Sequence, residues 1–243
     1  MIAITSLDTV IKDIGFKLPV WLIGPLTIIA FIGVTNSINI IDGFHGLASG
    51  VSLISLISFI ILSAIYHDIL ILNLSLIMFF AILGFFVWNW PKGKIFLGDG
   101  GAYFIGFMFV IISILFVNRN PQISPWFPVC VLSYPIFEVL FSMYRRIFSR
   151  GYSPLYADSF HLHSIIYKRV SKENHLTAPY LWILVLPFNF LALLLHKNTP
   201  FLIILFLCFC TLYVFLYKSI VEFKTHRIPF LKTLKSLINA IPK

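Results

Sequence analysis

The sequence predicts an all-α fold: a polytopic integral membrane protein with about seven transmembrane helices. Apolar residues make up 59% of the 243 residues and charged residues only 11%, whereas about a quarter of a soluble domain is charged. The apolar residues fall in long runs, each near the ~20 residues that cross a bilayer as a helix. The runs do not alternate between apolar and polar residues as the strands of a membrane barrel do. Together these observations exclude a soluble globular domain and a disordered chain.

Each predicted helix is one apolar run bounded by a polar break. The first run starts late and ends in polar residues rather than at a small-residue cleavage site, so we do not expect a cleaved signal peptide. In chain order, the breaks fall near residues 42–45, 67–68, 91–96, 119–124, 145–176 and 197–198. The seven spans that they delimit cover residues 21–41, 46–66, 69–90, 97–118, 125–144, 177–196 and 199–218.

Basic residues fall mainly on one side of this predicted topology. The breaks after spans 1, 3 and 5 and the tail after span 7 carry 14 Lys and Arg residues, whereas the breaks after spans 2, 4 and 6 carry only Arg119 and Lys197. Because cytoplasmic loops are enriched in Lys and Arg, we expect the N-terminus outside and the C-terminus in the cytoplasm. The net charge of +9 then reflects membrane topology, and we expect no nucleic-acid partner.

The chain is predicted to form one transmembrane domain over residues 1–220 and a basic cytoplasmic tail over residues 221–243. Within the domain, the break at 145–176 is the longest and contains three histidines, and long loops in compact folds are usually functional. The tail mixes lysines with apolar residues, which suits either an interfacial segment on an anionic bilayer or a frayed end. The three cysteines lie in apolar runs without metal-ligand spacing, so we interpret them as packing residues.

Polar residues gather near the cytoplasmic end of the first span. Asn36, Asn39 and Asp42 follow one another at intervals of three, which puts them on one face of a helix. Two amides and a carboxylate supply oxygen ligands and hydrogen-bond donors, and Gly43 lets the chain turn tightly beside a ligand. The alternative interpretation is a polar C-terminal cap of the helix.

Two further clusters lie on the same predicted membrane face. Asp99 begins the fourth span among three glycines within residues 98–101, which is more glycine than a helix cap needs and suits the close approach of a phosphate. The glycine spacing fits neither a dinucleotide fingerprint nor a P-loop. His161 and His163 lie in the long loop, where they could hold a phosphate, donate protons or bind zinc, or could simply be solvated.

These groups predict a membrane-embedded enzyme of phosphoryl chemistry with cytoplasmic access. An acidic residue at membrane depth is costly and is therefore a functional-site candidate. Asp42 and Asp99 could hold Mg²⁺, which is usually bound through one or two carboxylates together with substrate phosphates. Glu138, inside the fifth predicted span, either pairs with a basic residue or completes this polar site.

The three motifs, in this order, resemble those of the polyprenyl-phosphate N-acetylhexosamine-1-phosphate transferase family. The resemblance rests on residues 36–48, 96–102 and 161–163, with Asn89 and Glu138 as further matching positions. It implies that a sugar 1-phosphate passes from a UDP-N-acetylhexosamine to undecaprenyl phosphate, with release of UMP, in the inner membrane of a bacterium. It also implies dependence on Mg²⁺, or alternatively Mn²⁺, and a role in starting cell-wall or surface-polysaccharide synthesis, lipopolysaccharide included.

The resemblance also implies roles for individual residues. The expected metal ligands are Asp99 and Asn39. The expected catalytic residues are Asp42, Asp99, His161 and His163. The expected substrate-binding residues are Asn36, Asn39, Gly43, Asn89, His161 and His163.

Three features depart from the family pattern. The chain has no adjacent acidic pair, although family members carry an Asp-Asp motif on a helix before the matching region, and we expect about four of the family's spans to be missing here. Ser164 follows His163 where a further histidine is common, and His45 stands where many members have Asp or Asn. Two alternatives therefore stay open: an inactive remnant of the family, and a membrane transporter, which would show inverted repeats and polar residues at mid-membrane. A monomer and a homodimer are equally open.

Overall fold

The computed structural model describes residues 20–149 and 160–222. The predicted tail from residue 223 onward, the N-terminal residues 1–19 and the loop segment 150–159 lie outside the described residues. The α-helices are α1 (Val20–Ile41), α2 (Leu47–Ile65), α3 (Ile69–Asn89), α4 (Gly98–Arg119), α5 (Trp126–Val131), α6 (Ser133–Tyr144), α7 (Leu162–Ile166), α8 (Asn174–Leu195) and α9 (Thr199–Val221). Two π-helical turns, Arg145–Ser149 and Tyr167–Ser171, continue α6 and α7.

Within the described residues, 6 helices are long and apolar enough to cross a membrane: α1, α2, α3, α4, α8 and α9. The same part of the chain contains no strand. Large apolar side chains such as Ile29, Ile77 and Leu207 are exposed on the outer surface, and lipid is the solvent that suits such a surface. The predicted fold class, an all-α polytopic membrane protein, is therefore confirmed.

The fifth predicted span differs from the prediction, because it consists of two helices that meet at Leu132. Pro135 lacks the N–H that a continuous helix would donate to the carbonyl oxygen of Val131. Ser55 and Asn189 supply donors to that oxygen instead, at 3.1 and 3.2 Å. The prediction of one continuous helix is therefore wrong here, although α5 and α6 together cover the predicted residues.

The core combines contacts between consecutive helices with contacts between helices that are distant in sequence. α1 packs against α4 and α6, whereas α2 packs against α3 and α8. At the centre, the ring of Phe59 contacts those of Phe109, Phe116 and Phe127 at centroid distances of 6.4, 5.9 and 5.6 Å. Edge and tilted contacts of this kind add to the burial of apolar area, so this aromatic cluster fixes α2 against α4 and α5.

The connections between successive transmembrane helices lie alternately at the two ends of the bundle, as the predicted topology requires. At one end, Asp68 accepts hydrogen bonds from Arg119 at 2.9 Å and from Asn120 at 2.9 Å. At the same end, the Tyr66 hydroxyl and Nε2 of His196 are hydrogen bonded at 2.6 Å. The breaks that carry the predicted site residues lie at the other end, which we call the site end.

A close helix contact brings α1 and α4 together near the site end. A Cβ added to Gly106 of α4 would lie 2.6 Å from Cα of Thr35 and 2.9 Å from its carbonyl oxygen. Both atoms belong to the backbone of α1, so only glycine lets the two helices approach this closely. This contact sets the distance between α1 and α4, and therefore between Asn39 and Asp99, which lie nearer the site end of these two helices.

Candidate active site

The site end is organised around the loop between α1 and α2. α1 ends at Ile41, and the N–H of Asp42 closes the last turn by donating to the carbonyl of Asn39 at 3.1 Å. Gly46 turns the chain into α2 with a φ of 76°, a backbone conformation that favours glycine. Asp42 therefore follows the helix directly and extends the polar face that the spacing of three predicted.

Asn89 ties this loop to the loop that precedes α4. Its Oδ1 accepts from the N–H of Gly46 at 2.6 Å, and its Nδ2 donates to the carbonyl of Ile95 at 2.8 Å. The side chain is buried, with 6% exposed. In this structure Asn89 thus holds two loops in register behind the site, and its predicted contact with substrate stays a prediction.

Asn39 and Asp99 meet across the interface of α1 and α4. Nδ2 of Asn39 donates to Oδ1 of Asp99 at 2.8 Å, although the two residues are 60 positions apart in sequence. Asp99 lies in the first turn of α4 and is exposed. The hydrogen bond uses the amide nitrogen of Asn39, so both the amide oxygen and the carboxylate remain as oxygen ligands.

Asp42 forms the second carboxylate of this site. Burial and the neighbouring charge of Asp99 together raise the pKa of the Asp42 carboxyl to about 6. Two carboxylates that repel each other in this way attract a cation, because a cation relieves the repulsion. One or two carboxylates, completed by substrate phosphates, are the donor set that Mg²⁺ prefers. The donor set of Asp42, Asp99 and Asn39 therefore fits Mg²⁺.

The two predicted histidines pack against the loop that contains Asp42. Nε2 of His163 lies 3.5 Å from the position of a Cβ added to Gly43, and its ring is 5.6 Å from that of Phe44. The rings of His161 and His163 stack at 5.2 Å with 7° between their planes. Both are buried, with 8% and 3% exposed, so the alternative of solvated loop histidines is wrong.

Burial also fixes the charge of His163. The apolar surroundings lower the pKa of its imidazole to about 4, although the carboxylate of Glu138 opposes this shift. The ring is therefore neutral at neutral pH. The Tyr134 hydroxyl and Nδ1 of His163 are hydrogen bonded at 3.1 Å, which leaves Nε2 as the nitrogen that faces Gly43.

Behind the histidines lies Glu138, which is fully buried. His161 donates from Nδ1 to Oε1 of Glu138 at 3.0 Å, and the Tyr213 hydroxyl donates to Oε2 at 2.7 Å. Glu138 thus completes the polar site, one of the two options that the sequence left open. The sequence did not indicate Tyr134 and Tyr213, because a tyrosine inside an apolar run gives no sign of the partner that its hydroxyl will find.

The structure brings most of the predicted site residues together. Asn39 and Asp99 are in direct contact, Asp42 lies within electrostatic reach of Asp99, and His163 adjoins Gly43. Asn36 is half-buried on α1, one turn before Asn39. Within residues 20–149 and 160–222, no three His, Cys, Asp or Glu side chains form a metal cluster, so the zinc alternative gains no support.

An apolar groove of about 790 Å³ opens between α6 and α9. Its walls are the outward faces of α6 and α9, and its polar members, Arg145 and Lys218, lie at the site end. Lys218 is exposed, whereas Arg145 is buried and donates to the Tyr217 hydroxyl at 2.9 Å. The groove therefore combines a long apolar wall with positive charge at one end. The lining residues are Phe137, Leu140, Phe141, Tyr144, Arg145, Val214, Tyr217 and Lys218.

Comparison with known proteins identifies relatives of this chain. A probable undecaprenyl-phosphate N-acetylglucosaminyl 1-phosphate transferase of Bacillus subtilis is 36% identical over 172 residues, which cover 67% of this chain and 48% of the relative. An undecaprenyl-phosphate alpha-N-acetylglucosaminyl 1-phosphate transferase of Thermotoga maritima is 29% identical over 191 residues, 78% of this chain and 57% of the relative. A phospho-N-acetylmuramoyl-pentapeptide-transferase of Streptococcus thermophilus is 41% identical over 83 residues, 34% of this chain and 24% of the relative.

The chain thus spans about half the length of the first two of these curated relatives. The family model described as glycosyl transferase family 4 matches residues 1–117. The matched segment includes α1 to α3 and most of α4, and with them the loop of Asp42 and the contact between Asn39 and Asp99. The chain belongs to glycosyl transferase family 4.

Proposed function

We propose that this protein transfers a sugar 1-phosphate from a UDP-N-acetylhexosamine to undecaprenyl phosphate at the cytoplasmic face of a bacterial inner membrane. The products are the lipid-linked diphospho-sugar and UMP, and the reaction starts cell-wall or surface-polysaccharide synthesis. The single observation that carries the proposal is the contact of Asn39 with Asp99 beside the carboxylate of Asp42, at one end of a helical membrane bundle. The relatives, whose names describe such transferases, support the same reaction.

We expect Mg²⁺, or Mn²⁺ in its place, to be held by Asp99 and Asn39 together with substrate phosphates. When bound, such a cation neutralises charge that develops on the phosphates during transfer. The protein supplies the oxygen ligands on two helices that are fixed against each other, so their geometry is set before substrate arrives. The hydrogen bond between Asn39 and Asp99 is 2.8 Å long without a bound cation or substrate.

The reaction exchanges one phosphorus–oxygen bond for another. An oxygen of the lipid phosphate attacks the phosphorus that carries the sugar, and the bond from that phosphorus to the oxygen of UMP breaks. Asp42 lies beside Asp99 and is suited to act as the general base that accepts a proton from the lipid phosphate. His163, which is neutral, would add no positive charge beside the phosphate.

The groove between α6 and α9 supports the choice of a lipid phosphate as acceptor. Its apolar walls suit a polyprenyl chain, and the exposed ammonium of Lys218 at the site end suits a phosphate. Basic residues at the cytoplasmic membrane surface attract anionic lipid headgroups. The groove would thus bring the lipid phosphate to the same end of the bundle as Asp42.

Replacement of one carboxylate tests this proposal. We expect Asp99→Asn to abolish the transfer of radiolabelled sugar phosphate from the UDP-sugar to undecaprenyl phosphate in membranes that contain the protein. Glu173→Gln is the matched control, because Glu173 is an exposed carboxylate at the same end and belongs to neither the site nor the groove; it should retain wild-type transfer. Retained Mg²⁺-dependent transfer in Asp99→Asn would refute the assignment of the site.

A further inference from the structure

The loop of Asp42 is held by the first turn of α8, far downstream in the sequence. The backbone N–H of His45 donates to Oδ1 of Asn174 at 2.8 Å, although the two residues are 129 positions apart. Asn174 is the first residue of α8 and is half-buried. The next N–H of the loop, that of Gly46, donates to Oδ1 of Asn89 at 2.6 Å. Two side-chain amides from two different helices thus accept from two consecutive N–H groups.

Packing of α8 against α2 and α3 fixes the position of its first turn. Nε1 of Trp182, further along α8, donates to the carbonyl of Gly46 at 3.2 Å. A Cβ added to Gly50 would overlap the indole of Trp182, so this ring lies directly on the backbone of α2. At the end of α3, Nε1 of Trp90 donates to the carbonyl of His175 at 2.9 Å. The helix that carries the amide at position 174 is therefore itself held in place.

The side chain of His45 ties the same loop to the segment before α4. Nδ1 of His45 lies 3.2 Å from the carbonyl oxygen of Pro91. A carbonyl oxygen is an acceptor only, so Nδ1 is a protonated nitrogen. The ring of His45 also contacts that of Phe96 at a centroid distance of 5.9 Å. His45 thus joins the loop of Asp42 to α8 through its N–H, and to the segment before α4 through its ring.

We propose that Asn174 is a positioning residue: it holds the loop of Asp42 through the N–H of His45, so that the carboxylate of Asp42 keeps one orientation toward the substrate phosphates. Catalytic groups must be held within about 0.5 Å of the productive geometry by partners behind them. The effect on turnover rests on the proposed function. The hold of Asn174 on the loop does not, and it is measured separately below.

Two substitutions of Asn174 distinguish positioning from a purely structural role. Asn174→Ala removes the acceptor for His45, and alanine is a better helix former than asparagine, so α8 itself is not weakened. Asn174→Asp keeps the size of the side chain and an acceptor oxygen. His175→Ala is the matched control in the same turn, because the ring of His175 lies 3.7 Å from Glu173 and its carbonyl contact with Trp90 is retained.

Steady-state kinetics give the first test. We expect Asn174→Ala to lower kcat about 10- to 100-fold, because a displacement of about 1 Å in an active site can cost 100-fold, while KM for the UDP-sugar changes little. Asn174→Asp should restore most of the lost kcat, and His175→Ala should match wild type. Equal losses of kcat in the two Asn174 variants, a loss confined to KM, or no loss in Asn174→Ala would overturn the proposal.

A second measurement is independent of turnover. Amide hydrogen exchange of the full chain with ¹⁵N-labelled histidine, with His45 assigned by its loss in His45→Gln, reports whether the N–H of His45 is held. We expect exchange several-fold faster than wild type in Asn174→Ala, and close to wild type in Asn174→Asp and His175→Ala. Unchanged exchange in Asn174→Ala would overturn the proposal. Absence of transfer by the wild-type chain would count against the proposed function, and the exchange of His45 would still decide whether Asn174 holds the loop.

Discussion

The close contact of α1 with α4 at Gly106 should be as important for function as the site residues themselves. In Gly106→Ala, the new Cβ would lie 2.6 Å from Cα of Thr35, whereas ordinary carbon–carbon contacts are about 3.5–4.0 Å. The helices must therefore separate by roughly 1 Å. The hydrogen bond between Asn39 and Asp99, now 2.8 Å long, would stretch past the limit of a useful hydrogen bond, about 3.2 Å.

The expected magnitude follows from this displacement. Overpacking costs about 1–3 kcal/mol of unfolding free energy, and a displacement of about 1 Å in an active site can lower the rate about 100-fold. Gly84→Ala in α3 is the matched control, because a Cβ there meets nothing within 4 Å, and both variants gain the same helix propensity of about 1 kcal/mol.

The assay pairs thermal unfolding in detergent with the transfer of labelled sugar phosphate in membranes. Gly106→Ala should unfold more easily than Gly84→Ala and transfer about 100-fold more slowly. If the two alanine variants were equally stable and equally active, the reasoning from the helix contact to the site would be refuted.

Three further predictions concern charge and loop geometry. Burial beside Asp99 raises the pKa of the Asp42 carboxyl to about 6, so ionisation of Asp42 destabilises the folded state as pH rises through that value. Without divalent cations, Asp42→Asn should therefore melt at a higher temperature than wild type at neutral pH. The difference should vanish as pH falls toward the pKa of Asp42 in the unfolded chain, about 4. Asn89→Ala removes the acceptor for the N–H of Gly46 and the donor to the carbonyl of Ile95. It should lower the unfolding free energy by about 2–4 kcal/mol and remove most of the transfer activity. The control, Asn73→Ala at an exposed position on the same helix, should change neither stability nor activity. Lys218→Gln should raise KM for undecaprenyl phosphate but not for the UDP-sugar in steady-state kinetics, whereas Lys197→Gln at the opposite end should change neither.

The fold class and much of the site could be predicted because both depend on local residue chemistry. Apolar length defines the spans, and ionisable residues at membrane depth are so costly that they are candidates for a functional site. The alternation of helix direction then places the ends of α1 and α4 together, which is why Asn39 and Asp99 could be expected at one end. We expect their direct contact to depend on Gly106, and a glycine in an apolar run does not reveal which backbone it will meet.

Other features depend on tertiary partners that no local pattern names. The break at Leu132 follows from Pro135, but a proline in a membrane helix is tolerated wherever neighbours satisfy the free carbonyl; here Ser55 and Asn189 do so from two other helices. Burial of the histidines could not be predicted either, because it depends on the packing of α7 against α9 and on the contact of His161 with Glu138 of α6.

The central claim is tested most directly by reconstituting the full purified chain into vesicles with undecaprenyl phosphate, radiolabelled UDP-N-acetylglucosamine and Mg²⁺, and by counting both products. We predict one UMP released for each labelled sugar phosphate that appears in the lipid fraction, and loss of both products when the divalent cation is chelated. A wild-type chain that forms no labelled lipid and releases no UMP, or that forms both equally well without any divalent cation, would contradict the account.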